Sequence, residues 1–592
     1  MAVAEVRCSP QRRSLAHAAL RRSAIFRTRE SLERTPTAPS REPYSLRLAC
    51  NRGTNGAMNR PVTWLLFVAV LAVGVALRAP RLGARPMHTD EAVQAVKFGK
   101  LLETGHYRYD PHEYHGPTLY YAAVAWARLR GVRTFERCDE ILLRTVPLLF
   151  GLATLLWLAR MSPPLRTSGL LSAGVWMATQ PFLVFYNRYF IQESLLVFFT
   201  AASMGSLWGY LTSPSPHRAI ATGVWLGTML ATKETAVLAW AALVPATLAA
   251  WASGVPPPWR TRGWIGFARD KLAGALAFLA IVVVFYSSFF THWQGVPDIV
   301  RAFAYFAQRA TGQGHEKPWW WYLQLLFAYR AGPLGIWSQW SLGVFSLVAI
   351  VASILPVRCP RPDLHEPFRS ERPWKVFMAA WVLTLLAVYS AIPYKTPWLM
   401  MSPLWGMCVL AGFGLQSVWN LTLGRRRWPR WVALAILLFG LADTARQNHW
   451  IQGRWMADPR NPCVYSHTST DLLHAVRLVY DATQQVPTGR DTPIFVVAEE
   501  YWPLPWYLRA YRRVGYWSQV PPQWPEPPVI VLTNPSLMPA VESALGPGFT
   551  PSLFGLRPTV AVVVYVRNDI WERVLAQRTA RRASPSPAPS SP

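Results

Sequence analysis

Pro117-Thr118-Leu119-Tyr120-Tyr121-Ala122-Ala123-Val124-Ala125-Trp126 is the segment on which the fold turns. A run of about ten residues is too short to cross a bilayer core of about 30 Å, which takes roughly 20 residues in a helix. Around it lie eleven longer apolar runs, near 61–79, 141–159, 168–187, 194–211, 219–232, 235–252, 272–290, 333–355, 376–392, 398–418 and 430–443. If the short segment also crossed, the basic connectors from Arg160 onward would face outward. If it only dips into the interface, Arg160 and Arg166, Arg218, Arg260 to Lys271, Arg358 to Lys375, and Arg425 to Arg430 all face the cytoplasm, as the positive-inside pattern requires. The second solution makes 117–130 an interfacial or re-entrant helix.

The expected fold is therefore an α-helical polytopic membrane protein of about eleven transmembrane helices. Its N-terminus is cytoplasmic, in a cell (inner) membrane, and the chain after the last crossing is extracytoplasmic. That last part has strand-like runs at Ile494–Ala498, Val529–Thr533 and Val560–Val566 and a helix-like run at Asp471–Thr483, which predicts a small C-terminal α/β domain. The expected divisions are a disordered basic extension at 1–57, a transmembrane domain at 58–443, the α/β domain at 444–575 and a disordered Ser/Pro tail at 576–592. Met58 directly precedes the first apolar run and reads as a candidate start.

Composition agrees. The chain has 592 residues, 52% hydrophobic and 15% charged, an unusual balance for a soluble domain. Thirty Trp and 22 Tyr suit a protein with many membrane–water boundaries. The net charge of +29 is explained by arginines between apolar runs and not by nucleic acid, since no base-stacking or zinc motif accompanies it. Six cysteines without a CxxC pair argue against zinc, iron–sulfur and dithiol chemistry. Cys138 and Cys463 are the two that this topology places together outside, where a disulfide is chemically allowed.

The unusual charges cluster at the outer ends of the helices. His88-Thr89-Asp90-Glu91-Ala92 puts two carboxylates about ten residues past the first crossing, at headgroup depth; Thr89 or Asp90 also suits a helix cap. Asp110-Pro111-His112-Glu113-Tyr114-His115-Gly116-Pro117 gathers imidazole and carboxylate groups that suit substrate or a metal ion, without a zinc spacing. Between two apolar runs, Arg188 and Glu193 must sit at the membrane edge or in a polar cavity, and they are chemically able to pair. Lys233-Glu234 and Tyr394-Lys395 mark two further outer junctions. With seven lysines against 53 arginines, these two positions draw notice. A lysine there snorkels or holds a lipid phosphate as a point charge. Glu499, Glu500 and Trp502, at the end of the first expected strand, suit a glycan face or a packing edge.

Taken together, His88–Ala92, Tyr114–Pro117, Asn187–Glu193, Thr232–Glu234 and Tyr394–Trp398 resemble the bacterial and archaeal family of flippase-activity-associated proteins. That family is similar to the protein O-mannosyltransferases and other GT-C glycosyltransferases. The resemblance runs from about Met58 to about residue 570. It implies a GT-C-like transmembrane domain and a polyprenyl- or dolichyl-phosphate sugar donor. It further implies a protein, glycan or lipid acceptor, no nucleic acid, and a divalent metal ion as an open question. By the same resemblance Asp90 is a base or metal-contacting acid, Glu91 its neighbour acid and Glu193 a second acid. Lys233 and Lys395 are carrier-phosphate lysines. From their own chemistry and position, His88, His115, Arg188, Glu234, Tyr394, Glu499 and Trp502 are expected to line substrate. The expected reaction is an inverting sugar transfer. The alternative classes are a flippase-associated or transport protein for lipid-linked sugars, and a scaffold whose outer part binds a partner.

Overall fold

Long apolar runs without internal breakers give helices that close their own backbone hydrogen bonds, as a lipid environment demands. The computed structural model of the chain describes residues 60–583, apart from 113–114, 161–164, 166, 312–314, 356–364 and 422–426. The basic extension at 1–57, Met58 and the tail from 584 onward lie outside the described residues, as do Glu113, Tyr114, Arg166, Arg358, Arg361, Arg425 and Arg426.

The architecture is mainly helical. Among the described residues, five helices are long and apolar enough to cross a membrane by length and composition: Pro61–Arg78, Glu140–Arg160, Glu193–Thr212, Glu371–Ala391 and Pro397–Asn420. Two shorter apolar helices are Ala236–Ala252 and Trp340–Ile354. The remaining expected crossings are helical too, but altered by particular residues. The 168–187 run is split into Thr167–Thr179 and Pro181–Tyr186, because Pro181 has no N–H and disfavours a helical residue before it. The 272–290 run extends backward to Pro258, with a non-helical break at Gly263 (φ 68°). The 430–443 run grows into Trp428–Gln452, so the expected division at 443/444 falls inside a helix.

Small residues let helices touch. A Cβ on Gly414 would lie 1.9 Å from the Phe345 carbonyl oxygen, and one on Gly223 2.0 Å from that of Gly274. These contacts join Met401–Leu421 to Trp340–Ile354, and Pro216–Leu230 to Pro258–Tyr286, the small-residue packing that membrane helices favour. The decisive 117–126 segment is a 12-residue helix, Thr118–Leu129, about 18 Å long at 1.5 Å per residue. It packs on the helix Thr89–Thr104.

Strands are few. A short hairpin pairs β1 (Tyr329–Arg330) with β2 (Ile336–Trp337). Five more, β3 (Ile494–Val497), β4 (Val514–Trp517), β5 (Ile530–Thr533), β6 (Phe549–Arg557) and β7 (Val560–Arg567), form one sheet ordered β4-β3-β5-β7-β6. β3 runs parallel to β4 and β5, whereas β7 is antiparallel to β5 and β6. The helices Leu472–Thr483 and Asn568–Ala583 pack on this sheet, and the second extends through the first residues of the expected tail.

The sheet is anchored to the first loop. The Met87 N–H donates to the Tyr507 hydroxyl (2.8 Å), the Thr468 hydroxyl donates to the Met87 carbonyl (2.7 Å), and the Trp506 indole N–H donates to Glu140 (2.8 Å). Cys138 and Cys463 are both buried free thiols, so the allowed disulfide is not formed.

Candidate active site

Adjacent residues on a helix point about 100° apart, and this separates Asp90 from Glu91. His88 caps the helix Thr89–Thr104. Its Nδ1 accepts from the Asp90 N–H (3.0 Å), and the Glu91 carboxylate accepts from the His88 N–H (3.1 Å), closing a capping box. Glu91 then turns inward, with a fully buried side chain. Arg144 donates to both of its oxygens (2.8 and 2.7 Å), Arg85 lies 3.4 Å away, and the Phe190 N–H donates at 2.9 Å. Burial alone would raise its pKa; the Arg144 and Arg85 guanidiniums hold it down at about 2. Glu91 is thus a locked structural anion. Asp90 stays 43% exposed and lines a cavity of about 460 Å³.

That cavity collects residues from five separate motifs. His115, Glu193, Lys233, Glu234 and Tyr394 all line it together with Asp90. Glu193 and Lys233 form a buried ion pair. Glu234, also buried, accepts from the Tyr109 hydroxyl (3.0 Å) and lies 2.7 Å from His115 Nδ1. Burial and then the Glu234 charge push the Tyr109 hydroxyl far above its usual range, so it stays a donor.

One glycine sets this geometry. A Cβ on Gly116 would sit 2.2 Å from the Ala231 carbonyl oxygen. Beside it the Thr118 N–H donates to Ala231 O (3.2 Å) and the Thr118 hydroxyl to that of Thr232 (2.8 Å). The His-Gly-Pro turn therefore lies flat against the Thr-Lys-Glu turn, which brings His115 to Glu234.

Several expected site residues lie elsewhere. His88 is buried, with both ring nitrogens engaged: Nδ1 by the Asp90 N–H, and Nε2 at 3.0 Å from the Tyr465 carbonyl. Burial lowers its pKa, so it is a neutral cap. Arg188 does not pair with Glu193; it lies in the turn after the helix Pro181–Tyr186 and donates to the carbonyls of Pro80 (2.7 Å) and Arg81 (3.1 Å). Lys395 is buried and its ammonium donates to the carbonyls of Ile392 and Lys317; burial lowers its pKa. Glu499 is exposed and Trp502 stacks on Tyr501, and neither lines the cavity.

Other cavity residues carried no sequence expectation. Arg309 ends the helix Gly295–Arg309 and lines the cavity beside Tyr394, 5.9 Å from that ring, with no carboxylate partner among the described residues. Gln94 and Gln192 line it too, with Gln192 donating to Gln94 (2.9 Å). The periodic apolar face of 295–309 was the available signal for Arg309, hidden inside a segment read as an outer loop.

Among the described residues, no three His, Cys, Asp or Glu side chains converge as a ligand set. Glu193 Oε1 pairs with Lys233, and the two Glu234 oxygens meet Tyr109 and His115.

The fold has solved counterparts. ArnT from Cupriavidus metallidurans bound to undecaprenyl phosphate is 15% identical, with a TM-score of 0.56 over 86% of this chain and 98% of that one. The fold is similar to that of ArnT, a GT-C glycosyltransferase. The apo form of ArnT gives a TM-score of 0.54 at 16% identity, covering 86% and 99%. Archaeal oligosaccharyltransferase AglB from Archaeoglobus fulgidus, in complex with an inhibitory peptide and a dolichol-phosphate, gives 0.48 at 12% identity, covering 80% and 69%. No protein-family model and no curated protein matches, so the flippase-associated resemblance has no support beyond its motifs. Identity at this level speaks to fold, and the activity must come from the site.

Proposed function

We propose that the chain transfers a sugar from a polyprenyl-phosphate carrier to an acceptor at the extracytoplasmic face of the cell membrane. The observation that carries this reading is the cavity itself, in which a solvent-reachable carboxylate, Asp90, shares one enclosed space with two cations, Lys233 and Arg309. ArnT, whose structure holds undecaprenyl phosphate, supports the choice of donor class.

In the mechanism, Asp90 accepts the proton of the acceptor hydroxyl. The hydroxyl oxygen attacks the anomeric carbon in a single inverting displacement, and the bond to the carrier phosphate breaks. Lys233 and Arg309 stabilise the charge growing on the departing phosphate, the effect that usually contributes most to such a rate. The phosphate leaves as an anion without being protonated, so one base suffices, unlike the paired carboxylates of glycosidases. Glu193 holds Lys233, and Glu234 holds His115 and Tyr109; Glu193, Glu234, His115 and Tyr109 are positioning groups. The phosphate role expected for Lys395 passes to Arg309, because carbonyls already engage the Lys395 ammonium.

The test is mass spectrometry of polyprenyl-linked sugars and glycosylated products in a deletion strain complemented with wild type or Asp90→Asn. Accumulated lipid-linked sugar with Asp90→Asn supports transfer. Full product formation by that variant removes the base. Headgroup translocation by purified protein in vesicles without any acceptor favours the transport alternative.

A further inference from the structure

A second concavity, about 870 Å³, lies outside the cavity just described, between the helices Pro61–Arg78, Thr167–Thr179 and Trp428–Gln452. Its wall is aliphatic along Leu66, Val70, Val73 and Leu77. From Leu66 to Leu77 is about 16 Å of helix, close to half of a bilayer core of about 30 Å. The polar lining is confined to one end, where Arg81, Asn448 and His449 stand.

That end is short of partners. Arg81 is exposed with no carboxylate beside it among the described residues, and Arg188 donates to its carbonyl. Arg81 and Arg188 also line a small neighbouring cleft with Arg85 and Arg144. Burial first, and then the charges of Arg85, Arg144 and Arg81, lower the Arg188 pKa to about 10. Asn448 is 2% exposed. Its amide N–H groups donate to Thr179 O (2.6 Å) and Thr444 O (3.0 Å), which leaves its Oδ1 buried without a donor.

We propose that this groove holds one acyl chain of an anionic glycerophospholipid, its phosphate at Arg81. The leaflet is the one on the side of the catalytic cavity, because Arg188 and Asp90 belong to the same end of the bundle. The surrounding bilayer is as apolar as the groove, so the tail adds no preference of its own. Selectivity comes from the net negative charge of the headgroup beside Arg81. Depth excludes a full polyprenyl chain, which overruns a one-leaflet slot. The inference rests on the membrane-spanning fold and not on the transfer reaction.

Native mass spectrometry of the full chain, taken from phosphatidylglycerol or phosphatidylcholine vesicles, tests it. Wild type retains phosphatidylglycerol in preference to phosphatidylcholine. Arg81→Glu, a change at an exposed side chain, weakens that preference about tenfold, the loss expected for one charged contact. Ala445→Trp fills the groove and removes the retained lipid, whereas Asp90→Asn leaves it in place. Equal retention in Ala445→Trp and wild type, an unchanged preference in Arg81→Glu, or a polyprenyl phosphate as the retained lipid would each overturn the proposal.

Discussion

Lys233 and Glu193, 40 residues apart in the chain, meet as a buried ion pair on the wall of the cavity. Breaking a buried pair by removing one partner strands the other charge and costs about 3–5 kcal/mol, while replacing both with apolar groups of similar size is close to neutral. Lys233→Met and Glu193→Leu should each lower the melting temperature sharply in detergent. The double variant should regain most of that stability yet lose most of its activity, because Arg309 alone is left to stabilise the departing phosphate. Additive losses in the double variant would show that the two side chains are not coupled.

The neighbouring acids of the first loop divide structure from chemistry. Asp90→Asn should abolish transfer and leave stability within about 0.5 kcal/mol, as for other exposed sites. Glu91→Gln should unfold the loop, because Arg144 loses its counter-charge. The Glu91 pKa is depressed from 4.5 to about 2. Its contribution is therefore fully present above pH 4.5 and is lost as pH falls toward 2, amounting to about 3 kcal/mol. Thermal unfolding followed from pH 6 to 3 should show that decline in wild type and a flatter profile in Glu91→Gln.

How much of this was legible in the sequence follows from the range of the forces involved. Hydropathy, a local property, gave helices at the apolar runs. Gln180-Pro181 is an equally local signal, masked by the apolar residues on both sides of it. The charge motifs marked the chain segments that build the cavity, but not which member of each motif faces it. The Asp90/Glu91 choice depends on Arg144, 53 residues away. Lys395 looked like a phosphate ligand until the carbonyls of Lys317 and Ile392 claimed it. β4 and β6 escaped notice because both are edge strands: β4 is short and contains Gly515, and β6 carries Pro551 and Gly555, residues that sheets tolerate at their edges.

Gly116 should be intolerant of any side chain. An added Cβ meets backbone, the Ala231 carbonyl oxygen, rather than a movable side chain. Gly116→Ala must push the first loop away from Thr232 and carry His115 off Glu234. The expected outcome is a loss of transfer of about 100-fold, since a displacement of about 1 Å in positioned groups costs that much. Insertion into the membrane should persist, and crosslinking between cysteines placed at His115 and Glu234 should fall. A fully active Gly116→Ala would show that the two turns separate freely.

Arg309 offers the sharpest test of the leaving-group model. It is the cavity cation that no carboxylate engages among the described residues, so its removal strands no buried charge and should leave the melting temperature nearly unchanged. If its contact tightens as negative charge develops on the departing phosphate, Arg309→Ala should lower kcat by about 10²- to 10³-fold, the range for losing one preorganised donor. The KM for the lipid donor should change far less, because a group that acts mainly in the transition state spares ground-state binding. Arg309→Lys keeps the charge but loses the planar fork, so it should recover only part of the rate. A rise in KM with kcat intact would instead make Arg309 a docking residue for the carrier, leaving Lys233 alone to stabilise the leaving group.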